Sequence, residues 1–203
     1  MQDRKHTGHT VQSSDTIYVG NVFSFVSDEI TLEGDDTVLR REYIAHPGAV
    51  AIVPLREGEA GPEVLLLSQY RHPVSAVLWE IPAGLLDKKG EDPLLAAKRE
   101  LAEEAGLEAA AWHVLVDVFS SPGCLSESLR IFLARDLSES DLDYVRTEEE
   151  AGMEYEWVPL SDAVKLIHSG AIHNTTAITG LFSAASALSG AGELRDTDSP
   201  WMR

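Results

Sequence analysis

Apolar and polar residues alternate from Thr16 to His46 (TIYVGNVFSFVSDEITLEGDDTVLRREYIAH), with turn signals at Ser27-Asp28 and Gly34-Asp35. A period of two sends successive side chains to opposite faces of a strand, so this stretch predicts two or three antiparallel strands. Residues 15–45 are therefore expected to form an N-terminal β-subdomain, preceded by a polar, frayed segment at 1–14. Two apolar runs follow, AVAIVPL with its core at 50–55 and EVLLLSQYR at 63–71, joined by REGEAGP. Continuous Val/Leu runs of this kind predict core strands. Near Asp92 the period changes. Leu94, Ala97, Leu101 and Ala105 recur at three- and four-residue steps, the apolar stripe of a helix. Asp92 suits the N-cap, Pro93 the first helical position and Gly106 a left-handed C-terminal cap. Beyond it, WHVLVDVFSSP (112–122), SLRIFLARDL (128–137) and EYEWVPL (154–160) read as strands. Pro122-Gly123 marks one connecting loop, and the acidic stretch SESDLDYVRTEEEAGM marks another. Two C-terminal helices are predicted, SDAVKLIHSG capped by Ser161 and NTTAITGLFSAASAL (174–188) capped by Asn174. The main domain is expected over 46–190 and a loose tail over 191–203.

Composition narrows the partners. The chain has 203 residues, 44% of them hydrophobic and 25% charged, enough for a sizeable core. A net charge of −18 argues against a nucleic-acid backbone or an anionic membrane as partner. It also means that an anionic substrate has to be drawn in by local cations and metal. The single cysteine, Cys124, excludes an intrachain disulfide and suits a reducing cytoplasm. With no recognisable basic partner, it reads as a small filler residue. No apolar run reaches the ~20 residues of a membrane span, and the N-terminus MQDRKHTGHTVQSSD lacks the apolar core of a signal peptide.

The predicted helix carries the chemistry. Glu100, Glu103 and Glu104 are three and four residues apart, so they share one face, off the apolar stripe. Like charges at this spacing repel. A solvated acidic face is one reading. The other is a hard divalent cation, Mg²⁺ or Mn²⁺, which prefers carboxylate oxygens and completes its shell with water and substrate phosphates. Arg99 can reach Glu103 on the next turn or fold back toward Glu91, orienting the ligands.

Gly84, Glu91, Arg99, Glu100, Leu101, Glu103, Glu104, Gly106 and Leu107 together resemble the Nudix box, a glycine and a glutamate followed by Arg-Glu-aliphatic-x-Glu-Glu-x-Gly-aliphatic. One departure is an interval of six residues between Gly84 and Glu91 where the family usually has five. The resemblance covers roughly 40–190. QYR at 69–71, WEIPAGLLD at 79–87, and Pro122 fifteen residues beyond Leu107 are similar to the ADP-ribose pyrophosphatases, the actinobacterial ones above all. The proline-rich run of NADH pyrophosphatases is absent, as is the tyrosine of dinucleoside polyphosphate hydrolases. The resemblance implies an α/β (α+β) Nudix fold, a mixed sheet between helices with an N-terminal antiparallel β-subdomain that dimerises. It implies Mg²⁺-dependent hydrolysis of ADP-ribose to AMP and ribose 5-phosphate. Other nucleoside-diphosphate sugars or dinucleotides, or a non-catalytic sensor of ADP-ribose or NAD derivatives, are the alternatives. On this resemblance Glu100, Glu103 and Glu104, with the carbonyl of Ala83 or Gly84, hold metal, and Arg99 supports the catalytic set. Glu150, or else Glu149, is the general base on the acidic loop, which also holds Glu148. Arg71 meets the diphosphate, Trp79 and Glu80 line the nucleoside pocket, Glu127 recognises the terminal ribose, and Pro122 and Gly123 on the preceding loop also bind substrate.

Overall fold

Strand β4 (Ala49–Gly58) is the axis of the molecule, and its alternation divides the core. Ala49, Ala51, Val53 and Leu55 enter one apolar cluster, while Val50 and Ile52 enter another on the opposite face. The neighbouring strand β9 (Ser128–Glu139) repeats the pattern, with Leu129, Ile131 and Leu133 on the first side and Phe132 and Ala134 on the second. The central stretches of both strands are largely apolar because both faces are covered, with the buried Arg130 as the exception on β9. The computed structural model describes residues 1–141 and 153–203.

Three strands precede this axis. β1 (His9–Val19), β2 (Ser24–Leu32) and β3 (Asp35–Ala45) form an antiparallel sheet in chain order. The remaining strands are β5 (Gly61–Arg71), β6 (Ala76–Glu80), β7 (Ala83–Leu85), β8 (Leu107–Phe119) and β10 (Tyr155–Pro159). With β4 and β9 they make a seven-stranded mixed sheet of order β10-β5-β4-β9-β8, in which β6 pairs with β5 and β7 with β4. β4 and β9 run parallel, and the other pairs are antiparallel. Helix α1 (Pro93–Ala105) covers the Val50 face, and α2 (Leu160–His168) and α3 (Thr175–Leu188) cover the Ala51 face. Among the described residues, no helix is long and apolar enough to cross a membrane.

Four expectations need correction. β1 begins at His9, inside the stretch read as frayed, because its polar backbone pairs with β2. The segment RHPVSAVLWEIPAG holds two unforeseen short strands, β6 and β7, which gain order only by pairing with β5 and β4. α2 starts at Leu160 with Pro159 at its N-cap, so Ser161 lies within the helix. The tail is not loose. Arg195 bridges to Val114, and its Nη1 donates to Asp117 Oδ2 at 3.0 Å. Asp117 also accepts both prongs of the buried Arg130, at 2.7 and 3.0 Å. Arg130 donates to the Pro200 carbonyl at 3.3 Å, beside Trp201 packed on the α1-side core. A buried guanidinium has to be neutralised and fully hydrogen-bonded, and the tail supplies part of that shell.

Leu101 is fully buried and anchors α1 to the sheet. Leu101→Ala is expected to cost about 2–5 kcal/mol in urea denaturation. A loss well below that range would mean that α1 is not held by its apolar face.

Candidate functional site

α1 is fixed at both ends by its own caps. The Asp92 carboxylate accepts from the Leu94 and Leu95 N–H groups, and Pro93 follows it. Gly106, at φ 66°, returns its N–H to the carbonyls of Leu101 and Ala102. With Ala97 and Leu101 turned to the sheet, Glu100 comes against Gly84 of β7, and Glu103 lies one turn on, bonded to Arg99. Glu104 is buried rather than off the apolar side, and its Oε2 accepts the Ala83 N–H at 2.9 Å. The Tyr155 hydroxyl donates to the Glu104 carbonyl at 2.7 Å and ties β10 to the same turn.

Arg99 bridges the carboxylates. It donates to both oxygens of Glu91 at 3.2 Å, to Glu100 at 2.6 Å and to Glu103 at 3.0 Å. Both reaches expected of it, to Glu103 and back to Glu91, occur together despite the longer interval after Gly84. Its bonds to Glu91 raise the Arg99 pKa, and the same bonds hold the Glu91 carboxyl below its ordinary value. Glu100 behaves oppositely. Burial raises its pKa, and the Arg99 charge offsets only part of that. Gly84 makes the packing feasible, because a Cβ there would lie 2.0 Å from Glu100 Cδ. Among the described residues, no three His, Cys, Asp or Glu side chains converge as a metal cluster. Arg99 holds Glu100 and Glu103, and the Ala83 amide holds Glu104.

A cavity of about 570 Å³ opens beside β7. Arg71, Glu80, Ala83, Gly84 and Glu127 line it, together with His46. Arg71 forms a forked pair with the buried Glu80, Nε to Oε1 at 2.8 Å and Nη2 to Oε2 at 2.7 Å. Glu127 accepts from the Ser120 hydroxyl and stands 3.7 Å from His46 Nε2.

The cavity thus gathers Arg71, Glu80, Ala83, Gly84 and Glu127, with Glu100 packed against Gly84 and Glu104 against Ala83. Trp79 does not join them. It packs on the core beneath α3, because neighbours on β6 face opposite ways and Glu80 takes the cavity side. Pro122 and Gly123 are exposed on their loop, and it is Leu125 and Glu127 from the same segment that reach the cavity. Cys124 is exposed too, so it fills no core space. Glu148, Glu149 and Glu150 lie outside the described residues. His46, Phe23, Asn174 and Thr176 were not foreseen as lining residues. For His46 a signal was available, the His-Pro-Gly turn directly before the most buried strand.

The NUDIX domain pattern matches residues 45–177. Over 98% of its length the chain is 39% identical to the ADP-ribose pyrophosphatase of Mycobacterium tuberculosis, covering 93% of that protein. It is 32% identical to the ADP-ribose pyrophosphatase of Bacillus subtilis over 80% of this chain and 84% of that one. It is 30% identical to the methanol dehydrogenase activator of Bacillus methanolicus, over 81% and 86%. A crystal structure of an ADP compounds hydrolase superposes with a TM-score of 0.73 at 23% identity, covering 94% of this chain and 99% of that one.

Glu91 and Glu100 set opposite pH dependences. Glu91 stabilises the fold above its ordinary value of 4.5, and that contribution is lost as pH falls through its lowered folded value. Ionised Glu100 costs stability above its raised folded value, and the cost disappears as pH falls toward 4.5. In chelator at neutral pH, Glu91→Gln is expected to melt about 2–4 °C below the wild type. Glu100→Gln should melt at or above it. A clear fall in the Glu100→Gln melting temperature would contradict the assigned sign.

Proposed function

This chain belongs to the Nudix family, and we propose that it hydrolyses ADP-ribose to AMP and ribose 5-phosphate in a divalent-cation-dependent reaction. The observation that carries the reading is the junction at β7. There the glutamate face of α1 meets a cavity that presents Arg71, Glu80 and Glu127. The nature of the relatives supports the substrate, since two of them are ADP-ribose pyrophosphatases.

The donor set suits Mg²⁺, with Mn²⁺ as a substitute. It is three carboxylates on one helix face, one packed into the space that Gly84 leaves open and one bonded to the Ala83 N–H. Glu100, Glu103 and Glu104 would hold the ion, with Arg99 and Glu91 orienting them. Bound there, the cation supplies neutralisation of the diphosphate charge and a lowered pKa for the attacking water. The chain's own residues do the rest. Arg71 faces the diphosphate, its guanidinium fixed by the Glu80 fork so that less side-chain freedom is lost on binding. Glu127 receives the sugar beyond. Glu150, with Glu149 second, takes the proton from the attacking water.

The active form is proposed to be a cytoplasmic homodimer joined through the 15–45 segment, with 46–190 as the hydrolase domain. Ile17, Tyr18, Val19, Val22 and Phe23 are 46–72% exposed, an apolar run that a partner would cover.

Release of AMP from ADP-ribose with Mg²⁺, beside NADH, ADP-glucose, flavin adenine dinucleotide and a diadenosine polyphosphate, tests the substrate. Preference for another compound would move the substrate within the family. Glu104→Gln keeps an acceptor for the Ala83 N–H, so it should fold while kcat falls on the order of 100-fold or more. Near-normal turnover would remove Glu104 from the metal set. Glu150→Gln should lower kcat with KM largely kept, and a pure KM effect would make it a binding residue.

A further inference from the structure

His46 has no part in the chemistry above, yet its side chain is only 10% exposed and lines the same cavity. The turn that carries it leaves the imidazole little freedom. The Gly48 N–H donates to His46 Nδ1 at 3.1 Å. Gly48 is at φ 93°, and a Cβ there would lie 3.2 Å from the Ser128 carbonyl oxygen. The turn is stapled to the loop that presents Glu127. Ile44 N–H donates to the Cys124 carbonyl at 2.9 Å, Ser126 N–H to the Ile44 carbonyl at 3.0 Å, and His46 N–H to Ser126 Oγ at 2.9 Å.

These bonds decide the tautomer. Nδ1 is occupied as an acceptor, so the neutral ring carries its proton on Nε2. That N–H lies 3.7 Å from Glu127 Oε1, too far for a direct hydrogen bond. A hydroxyl oxygen about 2.8 Å from both atoms accepts from one and donates to the other. Glu127 Oε2 is already taken by the Ser120 hydroxyl, which holds the carboxylate in place.

We propose that His46 and Glu127 form a donor–acceptor pair that reads the vicinal diol of a ribose, with His46 as a specificity-determining residue of this site. The inference rests on the hydrolase reading above, whose substrate carries two such riboses, one on each side of the diphosphate. A diol satisfies the pair in full: one hydroxyl bridges Nε2–H and Oε1, and its neighbour donates to the carboxylate. A group lacking the diol leaves a half-buried donor and acceptor unmatched, which is what makes such a site selective.

The test compares wild type, His46→Ala, His46→Gln and Glu127→Gln on ADP-ribose and two analogues. One lacks the 2-hydroxyl of the terminal ribose, and the other lacks that of the adenosine ribose. Affinity for ADP-ribose in chelator is measured alongside turnover. His46→Ala should raise KM and weaken affinity about 10-fold with kcat nearly unchanged. That penalty should vanish with one analogue, which identifies the ribose being read. His46→Gln retains an N–H donor and should recover part of the loss, which keeps the test usable if the alanine variant melts early. An equal penalty on all three substrates, or a loss in kcat alone, overturns the pair. A wild type that binds ADP-ribose but turns over none of the three counts against the hydrolase reading alone, and the pair is then judged from the affinities.

Discussion

Three glutamates on one helix face repel one another, and the site depends on the one guanidinium, Arg99, that bridges two of them. Arg99 spans Glu91, Glu100 and Glu103, so one positive charge shared by three carboxylates offsets part of their repulsion. Its reach across a loop ties that loop to the helix, and the extra residue after Gly84 is absorbed without loss of the contact. Burial still leaves Glu100 partly uncompensated. The protein therefore holds a carboxylate whose charge is unfavourable in the fold alone and favourable beside a cation. That is the usual tension between stability and function at a site built for charge.

The helix can hold that face only because its other side is firmly seated. β4 and β9 are buried on both faces and give α1 a rigid platform, while α2 and α3 close the opposite side. β7 is short, yet it runs directly under α1. Gly84 lets Glu100 approach the backbone, and the Ala83 amide fixes Glu104. Small residues here are a condition for close approach, not a gap in the core.

The cavity illustrates how strand geometry sorts neighbouring residues. Trp79 and Glu80 are adjacent, so one has to face the core and the other the cavity. The strand gives the buried carboxylate to Arg71 and the indole to the core beneath α3. On the opposite wall, backbone bonds from Ile44 to the 120–127 loop bring His46 beside Glu127. These two residues are far apart in sequence, and nothing in the spacing of either announces the other.

Local chemistry was legible from the sequence alone. Asp92, Pro93 and Gly106 bound α1 through their own backbone preferences, and the three-and-four spacing set which residues share its face. The double-sided strands were readable because two covered faces require an unbroken apolar run. The family could be named because its motif lies on one contiguous loop and helix. Tertiary structure decided what depends on distant partners. β6 and β7 exist only by pairing, the tail is held by Arg195, Trp201 and the carbonyl that it gives to the buried Arg130, and the buried Glu104 is bonded by the Ala83 amide of β7. Which carboxylate is ionised at a cost, and which histidine meets which glutamate, follow from desolvation and long-range contacts, and neither is written in the local sequence.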